Sequence, residues 1–292
     1  MSTTTESPES PVSAESPAKD RTPPEGVADE GRIGLRNNLR HIGALVRRNA
    51  LQIKHDPESM MDVLMMPIIF TLLFVYVFGG AIGGGGAGGD RDAYTNYLLP
   101  GMMAMMGLNI SMAVGTGINE DFRKGVMDRF RSMPIARSSV LVAKCVVEVG
   151  RMLVAIVVLL TVGFMVGLDI DGRWAGMLAG VGLTTLFGAS LVWIFMVVGL
   201  TMRTAQAVQG ISMLVMMPLQ FGSSVFVPTG TMPGWLKAFT DVNPLTHVAD
   251  ASRGLMLGEG AVAAPVLWTV VWSVGLTAVT APIAIAQFRR KT

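Results

Sequence analysis

The chain has 292 residues, of which 51% are hydrophobic and only 15% charged, and its mean hydropathy is +0.50. A soluble domain carries about 25% charged residues, so this chain has too little polar surface to cover a water-soluble globule, and an ordinary soluble enzyme is excluded. A net charge of +2 does not point to nucleic acid, the single Cys145 excludes a disulfide framework or a cysteine zinc site, and His41, His55 and His247 lie far apart. The composition fits an all-α polytopic membrane protein.

Residues 1–30 are rich in Ser, Thr, Pro, Glu and Ala and show no apolar periodicity, which predicts a disordered tail rather than a signal peptide. Over 31–55 the pattern changes. Leu35, Leu39, Ile42, Val46, Ala50 and Ile53 recur at helical steps, with Arg32, Arg36, Arg40 and Arg47 opposite. This is an amphipathic basic helix, suited to an anionic membrane surface or to the side of a soluble domain; the span that follows at once favours the membrane.

Asp56-Pro57 then reads as an N-cap and a first-turn proline. Six apolar segments follow, over about 63–78, 94–118, 140–168, 174–202, 207–227 and 261–288. Each reaches or approaches the roughly 20 residues that cross a bilayer, so 56–292 is expected to form one six-helix transmembrane domain. With both termini in the cytoplasm, 19 of the 23 Lys and Arg residues fall inside and 4 outside, as the positive-inside rule requires. The outer stretch 79–89 has eight glycines in eleven residues and is a flexible link, not a phosphate loop, since no Gly-Lys-Ser/Thr follows. The outer stretch 228–260 contains Trp235 and Phe239, then Asn243-Pro244 as N-cap and first-turn proline, then Asp250 and Arg253 at i,i+3. It predicts two short helices that dip into or rest on the outer membrane face.

No catalytic constellation appears: there is no Walker A loop, HExxH or GxSxG elbow. The informative polar segment is NEDFRKGVMDRFRSMPIARSSV, 119–140. Phe122, Val126, Phe130 and Met133 are spaced by four, four and three, and Glu120–Lys124 and Lys124–Asp128 are i,i+4 pairs. A short amphipathic helix along the membrane face, ending at Pro134, is expected. By pattern alone it either rests on lipid or inserts into a groove of a soluble partner. Lys144, Glu148 and Arg151 share one face at the start of the third span, as a structural charge ladder or as the lining of an entrance or partner groove. Gly163 with Gly167, and Gly176 with Gly180, are small-xxx-small pairs that permit close helix contact.

Three stretches in order, DPESMMDVLMMPIIFTLLFVYVFGGAI (56–82), EDFRKGVMDRFRSMPIARSSVL (120–141) and FVPTGTMPGWLKAFTDVNPLTHVADASRGLML (226–257), carry a resemblance. From about residue 32 onward the chain resembles the membrane subunit of type-2 ABC exporters, in particular drug-export permeases of the daunorubicin-resistance type. The resemblance implies a homodimer or pseudo-dimer working with two ATP-binding subunits on the cytoplasmic side of a bacterial plasma membrane. The chain itself would hold no cofactor, catalytic residue or metal; ATP and magnesium would sit in the partner. The segment from Glu120 to Pro134 would be the coupling helix, with Phe122, Val126 and Phe130 in the ATPase groove, Glu120, Asp121, Arg123 and Arg129 at its rim, and Gly125 allowing close approach. Trp235, Asn243, Pro244, Asp250 and Arg253 would belong to re-entrant outer helices that close the exit, and spans one, two and five would line the dimer path. The cargo would be amphipathic drugs or natural products, with a lipid-linked glycan or polyketide lipid as the near alternative. A proton-coupled secondary transporter is the alternative of another class, but no internal repeat and no mid-span acid supports it.

Overall fold

The computed structural model describes residues 68–79, 91–125, 137–258 and 260–291, together with Met61 and Met65. All of them belong to one compact unit, Gly34–Thr292. The expected tail, the amphipathic helix over 31–55 and, apart from Gly79, the glycine-rich link lie outside the described residues. No strand occurs among the described residues. The helices are α1 (68–79, with a π-helical turn at Phe74–Phe78), α2 (Arg91–Arg123), α3 (Arg137–Val166), α4 (Trp174–Thr201), α5 (Ala205–Phe221), α6 (Gly234–Val242), α7 (Pro244–Leu257) and α8 (Ala263–Lys291). A single 3₁₀ turn, Thr229–Thr231, precedes α6.

Local chemistry sets the ends. Gly125 stands at φ 68° and closes the turn after α2, a left-handed conformation that costs glycine nothing. Thr204 caps α5, its hydroxyl accepting from the Ala207 amide at 3.2 Å. Asn243 caps α7, its side-chain oxygen accepting from the Leu245 amide at 2.9 Å, with Pro244 in the first turn as the sequence predicts. Gly258, at φ 75°, ends α7.

Among the described residues, four helices are long and apolar enough to cross a membrane: α2, α3, α4 and α8. The other two expected spans are shorter among the described residues. The first is seen as α1, over 68–79. The fifth, expected over 207–227, is helical for only 17 residues, about 25 Å at 1.5 Å per residue. It stops at Phe221 because the Asn243 amide takes its last carbonyls, donating to Leu219 O at 2.8 Å and Gly222 O at 2.7 Å. The chain then leaves the helix and wraps around Arg253.

Helices α2 and α4 form the central pair. In α2 78% of the most apolar stretch is buried by protein, against 17% in α8, so α8 is the peripheral member. The central pair approaches closely where side chains are absent. A Cβ on Gly199 would strike the carbonyl of Gly115, and one on Gly115 would lie 2.7 Å from Phe195 O. Between these contacts and Gly107, the Ser111 hydroxyl lies 2.6 Å from Gly107 O and 2.9 Å from Gly188 O, so it joins the two backbones. Helix α3 packs on α2 and α4, α8 lies mainly along α4, and α7 sits across one end of α2 and α4. Helix α5 rests chiefly on α2. Cross-links between helix ends make α2, α4 and α8 run one way and α3 and α5 the other. One end of the bundle therefore gathers Arg123, Arg203, Arg289, Arg290 and Lys291.

Candidate functional site

At the basic end, the expected coupling segment begins as the last turn of α2 rather than as a separate helix. Glu120 pairs with Lys124 at 3.0 Å in an exposed i,i+4 bridge. Asp121 pairs across the bundle with Lys144 of α3 at 2.8 Å. Phe122 does not face away from the protein: its ring meets Phe288 of α8 edge-on at 5.7 Å, and the Lys291 ammonium lies 5.9 Å from the ring centroid. Arg123 ends the helix, and Gly125 supplies the left-handed turn that stops it. Val126, Arg129, Phe130 and Pro134 lie outside the described residues. The Lys144, Glu148 and Arg151 ladder is divided, since Lys144 turns to Asp121 while Glu148 and Arg151 pair with each other at 3.2 Å. Both members of that second pair are largely buried, which suits charges placed within an apolar helix. Asn119, one residue before the expected segment, is 4% exposed. Its amide donates to Gly199 O at 3.1 Å and Met202 O at 2.8 Å, capping the last turn of α4.

At the opposite end, Arg253 organises the structure. It is only 6% exposed. Its Nε donates to Tyr97 O at 2.8 Å, and its Nη2 to Ser224 O at 2.7 Å and Val225 O at 3.1 Å. Its Nη1 reaches Asp250 at 2.7 Å and Ser224 Oγ at 3.1 Å. The guanidinium plane also sits 3.7 Å from the centroid of the Tyr97 ring. The Tyr97 hydroxyl donates to Ser224 O at 2.6 Å, and the Ser224 hydroxyl to Asp250 at 2.7 Å. The charge is thus spread over neutral carbonyls by the fixed fork of the guanidinium. The segment 222–227 is held between α2 and α7. It carries Phe226, which stacks on Phe74 of α1 at 4.8 Å and on Phe221 at 5.8 Å, so α1 docks against the same segment. A shallow depression lined by Asp92, Asn96, Tyr97, Leu168 and Asp169 opens beside this knot.

Asp250 and Arg253 pair as their i,i+3 spacing implies. Asn243 caps α7 and ties down α5, whereas Trp235 is 75% exposed on α6. Phe239 and Val242 are exposed with it, at the i+4 and i+7 positions of the same face. Gly176 and Gly180 face α7, with Gly176 against the Leu255 carbonyl and Gly180 against Met256 and Ser252. The other pair divides: Gly163 abuts the Leu99 side chain, and Gly167, at φ 113°, belongs to the turn after α3. His247 stacks on Trp268 of α8 at 6.0 Å. Burial pushes its imidazole below the usual histidine range, with Asp250 and then Asp241 pulling the other way.

Among the described residues, a helical bundle with four spanning-length helices and basic side chains gathered at one end is the build of a multi-pass membrane protein. The sequence pattern of the ABC-2 type transporter family matches residues 40–257, and the chain belongs to that family. It is 36% identical to the daunorubicin resistance ABC transporter permease protein DrrB1 of Streptomyces coeruleorubidus, over 84% of each chain. It is 24% identical to the "Probable doxorubicin resistance ABC transporter permease protein DrrC" of Mycobacterium tuberculosis (strain CDC 1551 / Oshkosh), over 91% of this chain and 94% of that one. It is also 24% identical to the "Probable multidrug ABC transporter permease YbhR" of Escherichia coli (strain K12), over 68% of this chain and 53% of that one. The chain is therefore a multi-pass membrane permease of the ABC-2 type, and its bacterial relatives agree with a place in the plasma membrane.

Proposed function

We propose that this chain is the membrane subunit of an ATP-driven exporter of amphipathic drugs or natural products. The observation that carries the reading is the similarity, over 84% of the chain, to a permease named for daunorubicin resistance. Family membership favours an ATP-binding partner over proton coupling. ATP and magnesium belong to that partner, of which two copies would serve a homodimer of this chain. The chain's own part is to hold a path between helices and to convert movement at one end into opening at the other.

In this reading the basic end is cytoplasmic, as are both termini. Segment 120–134 couples to the partner, with Val126 and Phe130 meeting its groove and Arg129 at the rim. Phe122 has a different part, because its ring is already engaged by α8. α1 with the residues before it, and α5, count as the short first and fifth spans of six. α6 and α7 lie at the outer face, and the exposed Trp235, Phe239 and Val242 of α6 suit contact with lipid at the interface. The test is efflux of daunorubicin from a drug-sensitive bacterial host expressing this chain with its ATP-binding subunit. Efflux should vanish with a hydrolysis-dead partner. Arg129→Glu should leave insertion intact and uncouple transport from hydrolysis. Full ATP-driven efflux by Arg129→Glu would reject the coupling assignment, and proton-driven efflux without any partner would reject the exporter reading.

A further inference from the structure

One helical turn, Asn119–Phe122, reaches three other helices through three different side chains. Asn119 holds the final carbonyls of α4. Asp121 bridges to Lys144, near the start of α3. Phe122 meets Phe288 and Lys291 in the last turn of α8. Around this turn Val114, Ile118, Leu141, Trp193, Met196, Leu200 and Phe288 form an apolar cluster separate from the main core. Immediately after it, Gly125 breaks the helix and the chain enters the segment read above as the coupling element.

We propose that Asn119, Asp121 and Phe122 form a junction that divides the movement of the coupling segment among α3, α4 and α8. This rests on the coupling assignment of segment 120–134 above, with the part after Gly125 making the contact with the ATP-binding subunit. The three contacts differ in kind and direction. Asn119 bonds along the α4 axis, because carbonyls left over at a helix end point out of that end. Asp121–Lys144 is a partly exposed charge bridge to a neighbour running the opposite way. Phe122 is a lateral apolar wedge. Together they resist sliding, rotation and separation of α2 relative to its neighbours. The wedge matters most for α8, which packs along α4, α7 and α3 and reaches α2 through Phe288 and Lys291. Without it, α2 could move while α8 stayed behind. These are positioning residues: they meet neither cargo nor nucleotide.

The experiment uses the complex of this chain with its ATP-binding subunit in phospholipid vesicles. Spin labels are placed at positions 124 and 290 in a Cys145→Ser background. In the otherwise wild-type protein the distance between labels should be the same with and without ATP trapped by vanadate, because α2 and α8 move as one body. In Phe122→Ala trapping should change that distance, ATP hydrolysis should continue, and daunorubicin moved per ATP should fall by roughly 5-fold or more, the size of a typical coupling. Phe122→Trp, which keeps a ring, should restore both readouts. Asp121→Asn should lower transport per ATP, and the swap Asp121→Lys with Lys144→Asp should recover it. If Phe122→Ala does not assemble, Lys291→Gln with Phe122→Leu carries the same test. The label distance reports whatever the cargo is. A trapping-dependent distance in the wild-type background, or wild-type behaviour in Phe122→Ala and Asp121→Asn, overturns the junction. If Arg129→Glu also stays coupled, the coupling assignment itself fails; if Arg129→Glu uncouples while the junction variants do not, only the junction fails.

Discussion

Replacing Arg253 by alanine tests how the segment 222–227 is held. The substitution removes hydrogen bonds to Tyr97 O, Ser224 O, Val225 O, Ser224 Oγ and Asp250. Two acceptors are partly protected from the loss. Ser224 O keeps the Tyr97 hydroxyl, and the Asp250 side chain, 41% exposed, can turn to water. The carbonyl of Val225 bears the rest, since Tyr97 O lies within α2 and keeps its helical donor. A buried acceptor stripped of its partner costs about 1–3 kcal/mol, and the lost stacking on Tyr97 adds about 0.5–2 kcal/mol. A local destabilisation of about 3 kcal/mol is therefore expected, or about 100-fold in the opening equilibrium of the segment. Hydrogen exchange of the amides over 223–226, in lipid nanodiscs, measures it directly. Tyr97→Phe deletes one bond and should speed exchange by about 10-fold or less, a loss near 1 kcal/mol. Arg253→Lys should fall between, since an ammonium cannot reproduce the planar fork. If a folded Arg253→Ala protein keeps wild-type protection at these amides, the guanidinium does not hold the segment.

Gly176→Ala should destabilise the protein by about 1–3 kcal/mol, because the new methyl would strike the Leu255 carbonyl. Gly182→Ala, with nothing within 4 Å of its position, should be neutral or slightly stabilising, and equal melting of the two variants would contradict the α4–α7 contact. His247 has a folded-state pKa below its ordinary value, so its contribution is fully present above about pH 6.5 and is lost as pH falls through 6.5 toward the folded value. Melting should fall on acidification from pH 7.5 to 5, and His247→Gln should flatten part of that fall; an unchanged pH profile would show that the imidazole near Trp268 is not the group responsible.

The class of the fold was legible because hydropathy is a property of long segments, and α4 and α8 lie within two or three residues of their expected ends. The capping of α7 was legible too, since Asn-Pro sets a helix start by local chemistry alone. The end of α5 was not. Nothing in residues 207–227 says that Asn243, 21 positions after Gly222, will take its last carbonyls. Phe122 shows another limit. Its spacing with Val126 and Phe130 describes one apolar stripe, but a stripe does not say whether the partner is another chain or the end of α8. Tyr97 and Ser224 had no local signal at all, because their role exists only once Arg253 is brought between them. Gly107, Ser111 and Gly115 did carry a signal, the same four-residue spacing as Gly176 and Gly180. They were hidden by the methionines around them, which fit almost any packing.

The way Arg253 is seated has a consequence for the conditions the protein can work in. Three of the hydrogen bonds it makes end on peptide carbonyls, which carry no proton to gain or lose, and arginine itself keeps its charge at any physiological pH. These carbonyl contacts therefore need no proton to be gained or lost at either partner. A shift of α2 against α7 would instead pull Tyr97 and Arg253 apart and release segment 222–227 from both.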